Sequence, residues 1–179
     1  MIPTQNIVAW SKVAPRAEPR QVEQDLIIAR AIVELFGDPI LRDELRFRGG
    51  TALNKLHFPK PLRYSEDIDL TRAKDGASKP IWDRVHNLLD PWLGEPAYFR
   101  SHTAPALRYT VPAEDGSAPI RLKIEITEAE IAPFDPPQTS PSGSTILGSL
   151  VPPIFQRSQR KKSFQRSFER CSSATKGAI

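Results

Sequence analysis

Residues 47–70 read FRGGTALNKLHFPKPLRYSEDIDL, and two short motifs in this stretch decide the fold. The first is Gly49-Gly50-Thr51, which lies between a short extended piece and a predicted helix. Two glycines let the backbone turn tightly and leave no Cβ in the way of a ligand. The amides of Gly50, Thr51 and Ala52 are then expected at a helix N-terminus, where free N–H groups and the helix dipole favour phosphate. A Gly-Gly turn alone is also common as a simple turn.

The second motif is RYSEDIDL, residues 63–70, which predicts a strand. Side chains alternate along a strand, so Asp67 and Asp69 share one face while the apolar residues between them point to the other. Two carboxylates this close repel each other and favour a divalent cation, and oxygen ligands suit Mg²⁺ or Mn²⁺. The alternative for a bare Asp-x-Asp pair is a solvated strand face.

A third element is RLKIEIT, residues 121–127, in which every second residue is apolar. If this strand lies beside the strand of Asp67, then Glu125 supplies a third carboxylate. Three acids on adjacent strands can hold two metal ions, one activating the attacking oxygen and the other binding a triphosphate. Here too the open alternative is a solvated strand face.

The remaining pattern predicts helices and strands around these motifs. The predicted helices cover 21–36, 39–45, 51–57 and 79–93, and the predicted strands cover 45–48, 64–71, 106–112 and 119–127, the last two joined as a hairpin. Beyond Ile131 the chain is rich in Pro, Ser and Gly and has no sustained period. We therefore predict a domain over residues 1–131 and a poorly ordered Pro/Ser-rich and basic tail over 132–179.

Length and composition are those of a globular protein. The chain has 179 residues, 39% hydrophobic and 26% charged, which argues against disordered and fibrous classes. No apolar run approaches the roughly 20 residues of a membrane helix. The single cysteine, Cys171, leaves no internal disulfide framework, and the start MIPTQNIVAW lacks the pattern of a secretory signal. We therefore expect a cytoplasmic protein with no membrane partner.

Positive charge is concentrated at the end of the chain. Residues 157–179 carry seven Lys or Arg and one acid, which gives +6. Because the formal total is +4, residues 1–156 sum to about −2. The basic pI therefore describes the tail, which either contacts nucleic acid or is simply solvated.

Taken together, GGTALNKLH and RYSEDIDL resemble the nucleotidyltransferase toxins of the AbiEii/AbiGii abortive-infection family, found in type IV toxin–antitoxin systems. The helix over 21–36 and the strand LKIEIT also lie where this family places its first helix and third acid. The resemblance covers roughly residues 8–133. It implies an α/β (α+β) polymerase-β-like fold, with a small mixed sheet flanked by helices.

The resemblance also implies an activity. It is transfer of a nucleotide from an NTP to an RNA (tRNA) or protein acceptor with Mg²⁺ or Mn²⁺, in a phage-defence system whose partner is a cognate antitoxin, a winged-helix repressor. Carried onto this sequence, the metal-binding and catalytic acids are Asp67, Asp69 and Glu125. The implied phosphate-binding and nucleotide-binding residues are Gly49, Gly50, Thr51, Arg63, Ser65 and Lys123.

One departure from the family pattern leads to an alternative. Family members continue into a helical C-terminal half, whereas this sequence carries the Pro/Ser-rich and basic tail in its place. We therefore expect an intact metal half-site on an incomplete enzyme. The competing interpretation is a truncated, inactive relic or a nucleotide- or antitoxin-binding module. A housekeeping RNA-tailing enzyme is a third, which the RYSEDIDL context disfavours.

Overall fold

The computed structural model describes residues 2–14, 16–56, 64–101 and 104–128, in which five helices and five strands are found. The helices are α1 (Thr4–Ser11), α2 (Pro19–Gly37), α3 (Pro39–Glu44), α4 (Gly49–Leu56) and α5 (Lys79–Leu93). The strands are β1 (Leu45–Arg48), β2 (Asp67–Arg72), β3 (Ala97–Phe99), β4 (Ala106–Val111) and β5 (Ile120–Thr127).

The strands form one mixed sheet in the order β1-β2-β5-β4-β3. The central pair, β2 and β5, is parallel, and the other three pairs are antiparallel. Helices α2 and α5 pack against the sheet, and α4 contacts β1 and β2. This mixed α/β sheet flanked by helices confirms the fold class predicted from the sequence.

The core lies on one face of the sheet because the two central strands alternate. Ile68 and Leu70 of β2, with Ile124 of β5, have no exposed side-chain surface, and they pack with the apolar side of α2. Burial of these side chains supplies the main driving force for folding. The same alternation turns the acidic residues of β2 and β5 to the opposite face.

A buried charged cluster holds α1 and α4 against α2. The Asp25 carboxylate accepts hydrogen bonds from Trp10 Nε1 at 2.9 Å, Arg16 Nη2 at 3.1 Å and Lys55 Nζ at 2.6 Å. All three charged side chains are at most 8% exposed. Burial lowers the pKa of the Lys55 ammonium, and the charge of Asp25 opposes that effect. One carboxylate therefore stabilises two buried cations.

Several element boundaries differ from the sequence prediction. Helix α4 begins at Gly49 instead of Thr51, so the two glycines belong to its first turn, and β2 begins at Asp67 instead of Tyr64. The N-terminal segment contains α1, and a third short strand, β3, precedes the hairpin; neither was predicted. The antiparallel hairpin of β4 and β5 is confirmed. The tail over 132–179 lies outside the described residues.

Within the described ranges, no helix combines the length and the apolar composition needed to cross a membrane.

Candidate active site

Three carboxylates lie on the sheet face opposite the core, which we call the acid face and define by Asp67, Asp69, Lys123 and Glu125. The parallel register pairs Asp69 with Glu125 and Asp67 with Lys123. Residues paired across neighbouring strands have side chains on the same side of the sheet. The predicted juxtaposition of the β2 acids with Glu125 is therefore what the fold produces.

The acids repel one another, and Lys123 offsets part of the repulsion. Burial raises the pKa of Asp67 above its ordinary value, and the charge of Lys123 opposes this rise. The neighbouring carboxylates Asp69, Glu66 and Glu125 raise the pKa further. Lys123 Nζ lies 2.6 Å from Glu125 Oε2, and this hydrogen bond raises the pKa of the lysine. The face thus concentrates negative charge around one cationic side chain.

Gly49 is the point at which α4 approaches Asp69. Its φ is +77°, a conformation that residues with a Cβ rarely adopt. A Cβ at this position would lie 2.2 Å from Asp69 Oδ2 and 3.0 Å from Asp69 Cγ. The first glycine of the motif is therefore required both by the backbone angle and by the position of the Asp69 carboxylate.

Thr51 connects α4 to β2 through its side chain. Its hydroxyl donates to the carbonyl oxygen of Asp67 at 2.7 Å, and the residue is 4% exposed. The hydroxyl of Thr51 therefore already donates its proton to the backbone. Phosphate binding by this residue would use its own backbone N–H group. This bond also fixes the start of β2 relative to the first turn of α4.

Ser65 lies just before β2 and has a buried hydroxyl. Its Oγ has no hydrogen-bond partner within the described ranges. A buried polar atom without a partner costs free energy, and such atoms often mark ligand sites. Arg63, predicted in the same motif, lies outside the described residues.

Arg48 is a neighbour of the acids that sequence reasoning did not select. The antiparallel register of β1 and β2 pairs Arg48 with Asp69, which brings an arginine to the edge of the acid face. The only sequence signal for it is its place just before Gly49. The pairing that brings it to Asp69 joins residues 21 positions apart and is not visible in local periodicity.

The donor set fits a divalent cation, although the side chains are not gathered around one point. Among the residues that the structure describes, no group of three or more His, Cys, Asp or Glu side chains converges as metal ligands would. The Glu125 carboxylate is hydrogen-bonded to Lys123 instead. Two aspartates and a glutamate on one face nevertheless form the oxygen-rich set that Mg²⁺ prefers.

The sequence matches one family profile, described as nucleotidyl transferase AbiEii toxin, type IV TA system, over residues 30–155. This match covers more than half of the chain and includes the GGT motif, both aspartates and Glu125. It also continues past residue 131, the boundary predicted for the domain. No curated protein matches the chain.

Solved structures that match this chain share little sequence with it. JHP933 from Helicobacter pylori has 20% identity and a TM-score of 0.49, covering 66% of this chain and 48% of its own. A candidate nucleotidyltransferase of H. pylori has 20% identity and a TM-score of 0.46, covering 62% and 46%. The nucleotidyltransferase toxin MenT4 from Mycobacterium tuberculosis has 19% identity and a TM-score of 0.43, covering 72% and 44%. The chain therefore spans about half the length of these proteins.

Proposed function

Because this chain belongs to the AbiEii family of nucleotidyl transferase toxins of type IV toxin–antitoxin systems, we propose that it transfers a nucleotide from an NTP to an acceptor. The acceptor is an RNA, such as tRNA, or a protein. The observation that carries the proposal is the register of β2 with β5, which pairs Asp69 with Glu125 and sets Asp67 beside Lys123.

In this proposal Asp67, Asp69 and Glu125 hold the metal ions. When bound, Mg²⁺ or Mn²⁺ would lower the pKa of the attacking hydroxyl and stabilise the charge that develops on the triphosphate. The mutual repulsion of the carboxylates supports this assignment, because a divalent cation relieves it. Gly49 supports it as well, because its missing Cβ leaves room for the Asp69 carboxylate.

The NTP phosphates are assigned to the start of α4 and to the residues that surround the acids. The backbone amides of Gly49, Gly50 and Thr51 lie in the first turn of α4, where N–H groups lack helical partners. Lys123, which is hydrogen-bonded to Glu125, would bind a phosphate oxygen of the NTP. Two further proposed contacts are Arg63 and the unpartnered hydroxyl of Ser65.

The proposed partner is an antitoxin, as membership of a type IV toxin–antitoxin family implies. The further assignment of this antitoxin as a winged-helix repressor rests on the resemblance seen in the sequence.

Label transfer tests the activity. Full-length protein is mixed with Mg²⁺, each α-labelled NTP in turn and a bacterial tRNA pool, and a parallel series contains EDTA. We expect label on RNA or on protein with one preferred NTP, and none in EDTA. Folded protein that transfers no label with any NTP would contradict the proposal.

Gly49→Ala is expected to reduce label transfer about a hundredfold. The new Cβ would overlap Asp69 Oδ2, so the carboxylate must move, and displacements of about 1 Å at a reacting centre cost that much. Strain at φ +77° should also lower the free energy of unfolding by about 1–3 kcal/mol.

Gly37→Ala is the matched control for this substitution. A Cβ at Gly37, the last residue of α2, has no atom within 4 Å and no positive φ to strain. Label transfer of this variant should equal that of the wild type, and its stability should equal or slightly exceed that of the wild type because alanine favours the helical backbone. If both alanine variants behave alike, the close approach of Gly49 to Asp69 is not important for the reaction.

A further inference from the structure

The acid face continues beyond β5 onto the two remaining strands. The register pairs Glu125 with Ala106 and Lys123 with Arg108, and it then pairs Ala106 with Phe99 on the edge strand β3. Paired residues have side chains on one side of a sheet. Phe99, Ala106 and Arg108 therefore share the face of the acids, whereas Tyr98 and Leu107 point to the core side.

Phe99 and Arg108 form an exposed stacked pair on this face. The Arg108 guanidinium carbon lies 4.4 Å from the centroid of the Phe99 ring. Phe99 is 45% exposed, and Arg108 is exposed as well. A large aromatic ring that is about half exposed on an edge strand offers a surface on which another flat group can stack.

The distance from this pair to the acids suits one substrate that contacts both. Neighbouring strands lie about 4.8 Å apart, so Phe99 is about 10 Å across the sheet from Glu125, and Arg108 is about 5 Å from Lys123. The residue of β4 between Phe99 and Glu125 is Ala106, which has a small side chain and is 4% exposed.

Two arginines bring positive charge to this part of the face. Arg121, two residues before Lys123 on β5, lies on the same side and is exposed; it is paired with Thr110 of β4. Arg108 and Arg121 thus lie on the same face as the exposed aromatic ring, whereas Lys123 is paired with Glu125. Basic side chains with an exposed ring are the combination that holds unpaired nucleotides, the ring against a base and the cations against phosphates.

We propose that Phe99 and Arg108 form a stacking platform for an unpaired base of a single-stranded RNA acceptor, with Arg121 contacting its backbone. The inference rests on the proposed function, since it places the acceptor hydroxyl at the acids while the preceding nucleotides lie over β4 and β3. Duplex RNA does not fit this platform because its bases present no free stacking face.

Oligonucleotide binding tests the platform without the reaction. The full-length protein is titrated against a fluorescent single-stranded RNA, and anisotropy is read in EDTA without NTP. Phe99→Ala should weaken binding roughly 5- to 100-fold, which is the range for loss of one stacked base. Arg108→Ala should also weaken RNA binding. It should reduce the slope of the logarithm of the binding constant against the logarithm of salt concentration by about one.

Two control variants match the two changes. Tyr98→Ala removes an equally exposed ring (51%) from the same strand, but that ring lies edge-on to Trp82 at 6.2 Å, on the core side. Lys79→Ala removes one positive charge from α5, where the side chain is 82% exposed and paired with Asp83. Both should bind the RNA as the wild type does. The basic residues of 157–179 contribute equally in every variant.

Two conservative substitutions of Phe99 distinguish a loss of stacking from a loss of folding. Phe99→Trp should keep or improve affinity, and Phe99→Leu should lose it although the side chain stays apolar. If Phe99→Ala binds as tightly as Tyr98→Ala, or if single-stranded and duplex RNA compete equally, the platform is overturned. If RNA binding depends on Phe99 and Arg108 but no label is transferred, the proposed reaction is rejected and the proposed RNA site is retained.

Discussion

Label transfer is expected to fall about a thousandfold or more when Asp67 and Asp69 are both replaced by asparagine. The two carboxylates are the β2 half of the proposed metal site, and their charge stabilises the ions that act on the triphosphate. Several kcal/mol of transition-state stabilisation would be lost, at a factor of ten for each ~1.4 kcal/mol. The measurement is the initial rate of label transfer with the preferred NTP.

This double variant should nevertheless fold. Burial and neighbouring acids raise the pKa of Asp67, so its ionised form lowers the stability of the folded protein, and a neutral amide removes that cost. The free energy of unfolding should therefore equal or exceed that of the wild type. The matched control is Asp75→Asn with Asp83→Asn, two exposed acids, which should keep full activity. Equal rates in both double variants would rule out a metal role for the β2 pair.

Asp25→Ala is expected to cost about 3–5 kcal/mol of unfolding free energy, the range for removing one partner of a buried ion pair. Asp25 is the common acceptor for Trp10, Arg16 and Lys55. Within the described part of the chain, neither Arg16 nor Lys55 forms a salt bridge with another carboxylate. The substitution leaves both cations buried without a counterion. Urea unfolding followed by circular dichroism gives the value.

Glu34→Ala is the control because Glu34 makes similar bonds from the same helix. Its carboxylate accepts from Trp92 Nε1 at 2.8 Å and from Arg30 Nε at 2.9 Å, but the Arg30 side chain is 23% exposed. Water can solvate Arg30 after the change, so the cost should be about 1 kcal/mol. Adding Lys55→Met to Asp25→Ala should recover part of the loss. Equal costs at Asp25 and Glu34 would mean that burial of the cations is unimportant.

Local sequence was enough to predict the helices and strands that have a strong hydrophobic period or a clear terminal residue. The 3.6-residue spacing of α2 and the two-residue alternation of β5 were sufficient, because each has one apolar face that must be buried. The family resemblance carried by GGTALNKLH and RYSEDIDL is confirmed by the match over residues 30–155. The assignment of Asp67, Asp69 and Glu125 to metal remains a prediction.

The parts that sequence reasoning missed depend on contacts between distant residues. Strand β3 has three residues, all exposed, so it shows no alternation, and only its pairing with β4 makes it a strand. In α1 only Ile7 and Trp10 are buried, too few for a visible period. The charged residues of α2 near Asp25 interrupt an apolar pattern, and nothing local indicates that Lys55 and Arg16 will surround them. The salt bridge between Lys123 and Glu125 likewise follows from side-chain positions that a motif does not specify.

The parallel pairing of β2 with β5 has a consequence during synthesis. Asp69 and Glu125, adjacent in the sheet, are 56 residues apart in the chain. At bacterial elongation rates Asp69 leaves the ribosome about 3 to 11 s before Glu125 does. A nascent chain in that interval carries the aspartate pair without its third acid or Lys123, and the non-local closure of β5 onto β2 adds further delay. The growing polypeptide is therefore expected to lack the complete proposed metal site until β5 has paired with β2.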